Sequence, residues 1–162
     1  MTPFKVFLSH GAEPDEQVTA WRLQTLAATH GITVFVPQRS EPDSTRRAHV
    51  PSEQVRRQIN QSNCVLAIVI GRMGPVVEGE LNYALSKRKL IVPIVQKGTV
   101  QPDFVRKFPR VFEFSPWNTG EVETQVVDFL KSQKLKEENR QAVGALVAIG
   151  LGLFLLLALA EK

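Results

Sequence analysis

Five short apolar runs alternate with helix-period segments along most of this chain, and that alternation limits what it can fold into. The runs are residues 4–9 (FKVFLS), 32–36 (ITVFV), 65–70 (VLAIVI), 90–95 (LIVPIV) and 110–114 (RVFEF). The third is apolar at every position, which suits a central parallel strand covered on both faces. Pro93 inside the fourth argues for an irregular stretch or an edge position. Between the runs lie helical segments. One opens at Pro14 with Asp15 and Glu16 favourably placed for its dipole, and Ala20, Leu23, Leu26 and Ala27 form its inward face. Others are capped by Ser52 and opened by Gly74-Pro75. The last covers residues 121–134, with Val122, Val126, Phe129 and Leu130 inward. This pattern predicts an α/β, flavodoxin-like, five-stranded parallel sheet in the order 2-1-3-4-5.

The C-terminal end has a different character. Residues 142–160 (AVGALVAIGLGLFLLLALA) contain no charged side chain. A helix of that length reaches about 28 Å, close to a bilayer's ~30 Å hydrocarbon core. The sequence therefore predicts three parts: an α/β domain over 1–134, a charged juxtamembrane linker over 135–141, and a transmembrane helix over 142–160. Lys131, Lys134, Lys136 and Arg140 precede the run, and only Glu161 and Lys162 follow it. That asymmetry predicts a single-pass C-terminal anchor with the N-terminal domain cytoplasmic and membrane lipid as a partner. Gly144, Ala148 and Gly152 recur every four residues and define a face on which two such helices could pack, so a homo-oligomer is expected.

Composition excludes several functions. The net charge is +4 over 162 residues and the basic residues are dispersed, so no nucleic-acid partner is expected. The single cysteine, Cys64, starts an apolar run, which makes it a structural thiol in a reducing compartment. One Cys and three His make no zinc-type cluster, so no metal is expected. Gly71 and Gly74 fit neither a P-loop nor a dinucleotide fingerprint, and there is no serine nucleophile elbow.

Ligands of such sheets bind beyond the carboxyl ends of the strands, at the switch point between strands 1 and 3. That rule nominates Ser9, His10 and Gly11 after the first strand, the proline-punctuated loop carrying Arg39, Arg46 and Arg47, and residues 71–80, which start at Gly71. The arginines suit either phosphate pairing or a plain solvated loop. Glu80 is the leading catalytic candidate. Glu78 and Glu80 lie about 200° apart on their helix. Glu78 fits an exposed first-turn acid, whereas Glu80 borders the apolar stripe with Val76, Val77 and Ala84. A carboxylate in that position is costly unless it has a partner or a task.

Taken in order, the motifs resemble those of a bacterial TIR (Toll/interleukin-receptor) domain over residues 4–133. FKVFLSH at 4–10 resembles the opening strand, ITVFV and its long loop the second strand and BB loop, and residues 58–70 the helix-to-strand passage. Residues 74–95 resemble the glutamate-bearing helix and the strand after it. The resemblance implies a TIR-like fold and NAD glycohydrolase activity releasing nicotinamide. It implies Glu80 as the catalytic carboxylate, with Phe7 and Ser9 near the site. NAD would be substrate, with no bound cofactor, and the protein an assembly-activated defence or signalling effector. Glu80-Leu-Asn-Tyr-Ala84 also resembles a run of the nucleoside 2-deoxyribosyltransferases, in which a glutamate is the nucleophile; this match adds Tyr83 to the substrate-binding set. Both resemblances imply C1′–N cleavage of a nucleotide small molecule. The alternative is a non-catalytic module that binds a nucleotide signal or a partner TIR domain.

Overall fold

β3 (Cys64–Val69) is buried at all six positions and forms the middle of a five-stranded parallel sheet in the computed structural model. The structure describes residues 2–39, 50–98, 103 and 105–160, with side chains through Gly144 except at Val105. Flanking β3 are β1 (Lys5–Ser9) and β4 (Leu90–Gln96), with β2 (Thr33–Phe35) and β5 (Phe112–Phe114) at the edges. The order is β2-β1-β3-β4-β5, all parallel, as the alternation of runs predicts.

Period-two alternation splits the strands between two cores. Val6, Leu8, Leu66, Ile68, Val92 and Ile94 face α1 (Pro14–Ala28) and α4 (Thr119–Ala160). Phe7, Val65, Ala67 and Ile91 face α2 (Glu53–Gln61) and α3 (Pro75–Ser86). Ser9 lies two residues beyond Phe7 and so points to the α3 side. Cys64 is fully buried, and burial pushes its thiol up to about 12.

Local chemistry sets the helix ends. Ser52 Oγ accepts from the Val55 amide at 3.3 Å, capping α2 as expected. Pro75 occupies the first turn of α3, where no intrahelical donor is lost. Pro93 does not break β4. It pairs with Ala67 of β3 and precedes the stretch Ile94–Gln96 where β5 joins, so this half of β4 has no β5 partner. In α1 the buried stripe is Glu16, Thr19, Ala20, Leu23 and Ala27, while Leu26 is 39% exposed. Leu26 sits about 80° from the centre of that stripe, too far round to reach the sheet. Val122, Val126 and Leu130 of α4 are buried, and Phe129 meets Phe112 edge-on at 5.7 Å. Arg22 of α1 and the buried Glu123 of α4 pair at 3.0 Å, tying the two helices together.

The predicted transmembrane helix is corrected. Among the described residues, no helix is long and apolar enough to cross a membrane. Residues 142–160 are not an element of their own; they continue α4 without a break, and residues 135–141 are helical within it. The described part of α4 is amphipathic and charged, with ion pairs Lys134–Glu138 and Arg140–Glu137 along it. Gly144 has open space around it. The side chains of Ala148 and Gly152 lie outside the described residues, as do Arg46 and Arg47.

Burial separates two leucines that look alike in sequence. Leu66→Ala, at the fully buried centre of β3, should cost about 3 kcal/mol in urea denaturation. Leu26→Ala should cost less than about 0.5 kcal/mol. Comparable losses at both positions would contradict the assignment of faces.

Candidate active site

Glu80 owes its position to helical spacing. Val77, Glu80, Leu81 and Ala84 are the buried residues of α3, so the carboxylate lies within the inward stripe itself. Its turn of helix faces the carboxyl end of β1, and its side chain is 0% exposed. Two donors reach Oε1. Ser9 Oγ donates at 3.4 Å, and the Arg39 guanidinium donates in a close ion pair. Oε2 is buried and has no hydrogen-bond partner among the described residues.

These contacts leave the carboxyl with opposing influences. Burial is the larger and raises its pKa; the charge and hydrogen bond of Arg39 and the Ser9 hydroxyl oppose it. The balance stands at about 7, so both protonation states are populated near neutral pH. Arg39 is itself only 11% exposed at its side chain. Its Nε donates to the His10 carbonyl at 2.9 Å. One guanidinium thus links the end of β1 to the catalytic candidate on α3, by the forked geometry that distinguishes arginine from lysine.

His10 serves this arrangement from the side. Its ring nitrogens face two carbonyl oxygens, Gly11 at 2.7 Å from Nδ1 and Pro37 at 2.9 Å from Nε2. Burial pushes its pKa below the ordinary value, against the pull of the two carbonyls. In the neutral form one nitrogen donates and the other does not. The ring holds the chain after β2 against the chain after β1, which fixes where Arg39 starts.

Gly11 has a different partner. A Cβ built on it would lie 2.1 Å from Glu16 Oε2. Glu16 is 5% exposed, and backbone amides of Ile70, Glu13 and Gly11 donate to its carboxylate, although burial still raises its pKa. An internal carboxylate therefore occupies the amide cradle between the ends of β1 and β3. From its place in the first turn of α1 alone, Glu16 is expected to be a dipole-favoured surface acid. The signal for its burial was present, since Glu16 precedes Thr19, Ala20, Leu23 and Ala27 at helical spacing and falls on the buried stripe.

The predicted residues divide accordingly. Ser9, Arg39 and Glu80 come together, with His10 supporting Arg39. Phe7 is fully buried in the core beneath α3, packed with Val77 and Leu81, and is a floor rather than a contact surface. Gly71 has φ +70 and nothing within 4 Å of an added Cβ; it is required by backbone conformation, not by space. Tyr83 lies one turn farther from the strand ends, and its hydroxyl exchanges hydrogen bonds with Asn60 of α2 at 3.0 and 3.3 Å. It joins α2 to α3 and is not part of the Glu80 cluster. No group of His, Cys, Asp and Glu suited to a metal ion occurs among the described residues.

Similarity to solved structures agrees with the fold. The chain is similar to the CMP N-glycosidase of Clostridium botulinum, at 15% identity and a TM-score of 0.52, over 75% of this chain and 97% of that one. It is also similar to the flavodiiron core of Flv1 from Synechocystis, at 15% identity and a TM-score of 0.56, over 83% of this chain and 37% of that one. The shared feature is the flavodoxin-like α/β architecture. No protein-family model matches the sequence, and neither does any curated protein sequence, so the TIR-type resemblance stands without a matching family.

The raised pKa of Glu80 predicts a pH dependence of stability with a definite sign. An unfolded glutamate releases its proton near pH 4.5, whereas the folded Glu80 holds it to about pH 7. Within that window the native state binds more protons, so stability should fall as pH rises. The contribution is at most about 3.5 kcal/mol. Urea titrations from pH 4.5 to 8 should show a clearly changed slope in Glu80→Gln, less steeply falling with pH, with Glu16 and His10 acting in opposite directions in both proteins. An unchanged slope would show that Glu80 is not titrating in this way.

Proposed function

We propose that this chain cleaves the C1′–N glycosidic bond of a nucleotide, with Glu80 as the attacking carboxylate. The observation that carries the reading is Glu80 Oε2, a buried carboxylate oxygen with no hydrogen-bond partner among the described residues, held in place through its other oxygen. Leaving such an atom unsatisfied is costly, and a reacting atom is a physical reason to keep it so. The fold likeness to a CMP N-glycosidase supports the bond type.

In this reading Oε2 attacks C1′ as the base departs with the bonding electron pair, giving a glycosyl–enzyme ester. Water then adds its hydroxyl to C1′ and releases Glu80. Its proton balances the departing base, and the products are a sugar phosphate and a free base. Ser9 and Arg39 hold Oε1 and set the rotamer, so that Oε2 faces the substrate. Because Oε2 is buried, binding requires the Arg39 side of the site to open. A substrate phosphate offers the guanidinium a bidentate alternative, which favours a nucleotide over a nucleoside. A carboxylate ionising near pH 7 gives a rate that rises with pH through that region.

A panel of CMP, other nucleoside monophosphates, their nucleosides and NAD, assayed for release of the free base, tests this. We expect turnover of a nucleoside monophosphate that falls by about three orders of magnitude in Glu80→Gln. Arg39→Ala should narrow the preference for the phosphorylated substrate. Loss of NAD with the monophosphates untouched would move the assignment to the NAD-cleaving reading. Absence of turnover throughout, or equal turnover in Glu80→Gln, would defeat it.

A further inference from the structure

At the opposite end of the sheet from Glu80, the starts of β1, β3 and β4 and one side of α4 enclose a cleft of about 490 Å³. Its rim is strongly basic. Lys87, Arg88 and Lys89 contribute from the turn after α3, and Lys136 and Arg140 from α4, against one acid, Glu137. These cations are not equally free. Lys89 Nζ donates to the carbonyls of Asn60 and Ser62 at 2.8 and 2.7 Å, closing the end of α2. Lys87 lies over the Tyr83 ring at 5.5 Å. Arg140 pairs with Glu137 at 2.9 Å. Arg88 and Lys136 have no ion-pair partner among the described residues.

Arg88 adds a second, independent observation. Its φ is +54, the only positive value among described non-glycine residues. It sits just past the end of α3, where its amide donates to Leu85 O at 2.9 Å and that of Lys89 to Ala84 O at 3.1 Å. Glycine is the ordinary occupant of such a left-handed position, because a Cβ there is strained. Arginine keeps the strain and delivers a guanidinium to the cleft, and strain retained at one residue is a pointer to function.

We propose that this cleft binds a phosphorylated small molecule of nucleotide size carrying at least two negative charges. The volume is in the range of small-ligand pockets and exceeds what a lone phosphate needs. Arg88 supplies the forked donor for a phosphate, Lys136 a second charge from across the cleft, and Lys87 a third. An open cleft of this size suits a compact ligand, whereas a nucleic acid would need a continuous basic surface. The strands between the two ends are about 20 Å long, so this site is separate from Glu80 and does not depend on the activity proposed for it.

Calorimetric titration of the full-length chain with pyrophosphate and with ADP tests this, at about 50 and 300 mM salt. Saturable binding is expected, weaker at the higher salt and retained in Arg39→Ala, which removes the phosphate contact proposed at the other end of the sheet. Arg88→Gly should weaken binding at least about tenfold while raising the melting temperature, because it removes the strain with the charge. Lys136→Ala should weaken it by several-fold, and as a solvent-facing change it keeps the test decisive if Arg88→Gly alters folding. No saturable binding, or binding unchanged in both variants, would overturn the proposal. Tighter binding of a single-stranded oligonucleotide than of pyrophosphate would also overturn it, in favour of a nucleic-acid surface.

Discussion

A strand with six apolar side chains cannot meet water on either face, and β3 is such a strand. Helices must cover it twice over, α1 and α4 on one side and α2 and α3 on the other. Parallel neighbours then follow, because each crossover helix needs to return the chain to the same end of the sheet. The carboxyl ends of β1 and β3 are left side by side where the connections diverge. Ser9, Gly11 and Gly71 arrive there by this geometry, and α3 arrives with its inward stripe already facing β1. The active-site candidate is therefore a by-product of covering β3, with one polar residue placed in an otherwise apolar stripe.

Two carboxylates are buried near that junction, and they are handled differently. Glu16 is surrounded by backbone amides that donate to it. Its donors are main-chain groups of Ile70, Glu13 and Gly11. Among the described residues Glu80 receives donors on one oxygen only, from the Ser9 hydroxyl and the Arg39 guanidinium. Burial outweighs those donors and brings its ionisation near neutrality. The contrast separates a carboxylate that closes a structure from one that retains chemical capacity, although both lie on buried helical stripes.

Period and punctuation made much of this legible in the sequence. The five runs gave the strand order, Ser52 and Pro75 marked helix starts, and the angle between Glu78 and Glu80 separated the exposed acid from the enclosed one. What remained hidden depended on distance along the chain or on side-chain reach. Arg39 and Glu80 are 41 positions apart, and nothing local announces their pairing. His10 looked like a ligand-facing residue but uses its ring to join two backbone segments. Tyr83 matched a motif, yet its hydroxyl turns to Asn60. Leu26 has the right residue type and the wrong angle. The apolar run at 142–160 was read as a membrane span from its length and hydropathy, whereas the structure continues α4 through it and shows no helix of membrane-crossing character among the described residues.

The contact between Gly11 and Glu16 has a consequence for how this fold can vary over evolutionary time. A Cβ at position 11 would run into a Glu16 carboxylate oxygen, so any other residue there requires the acid to leave its present place. Removing the acid alone strands the amides it accepts from. Neither position can drift freely by itself, so in related sequences the two should be inherited together or replaced together. A lineage that lost both would open the amide cradle at the strand ends to an external anion, giving the same scaffold a ligand that this chain supplies from within.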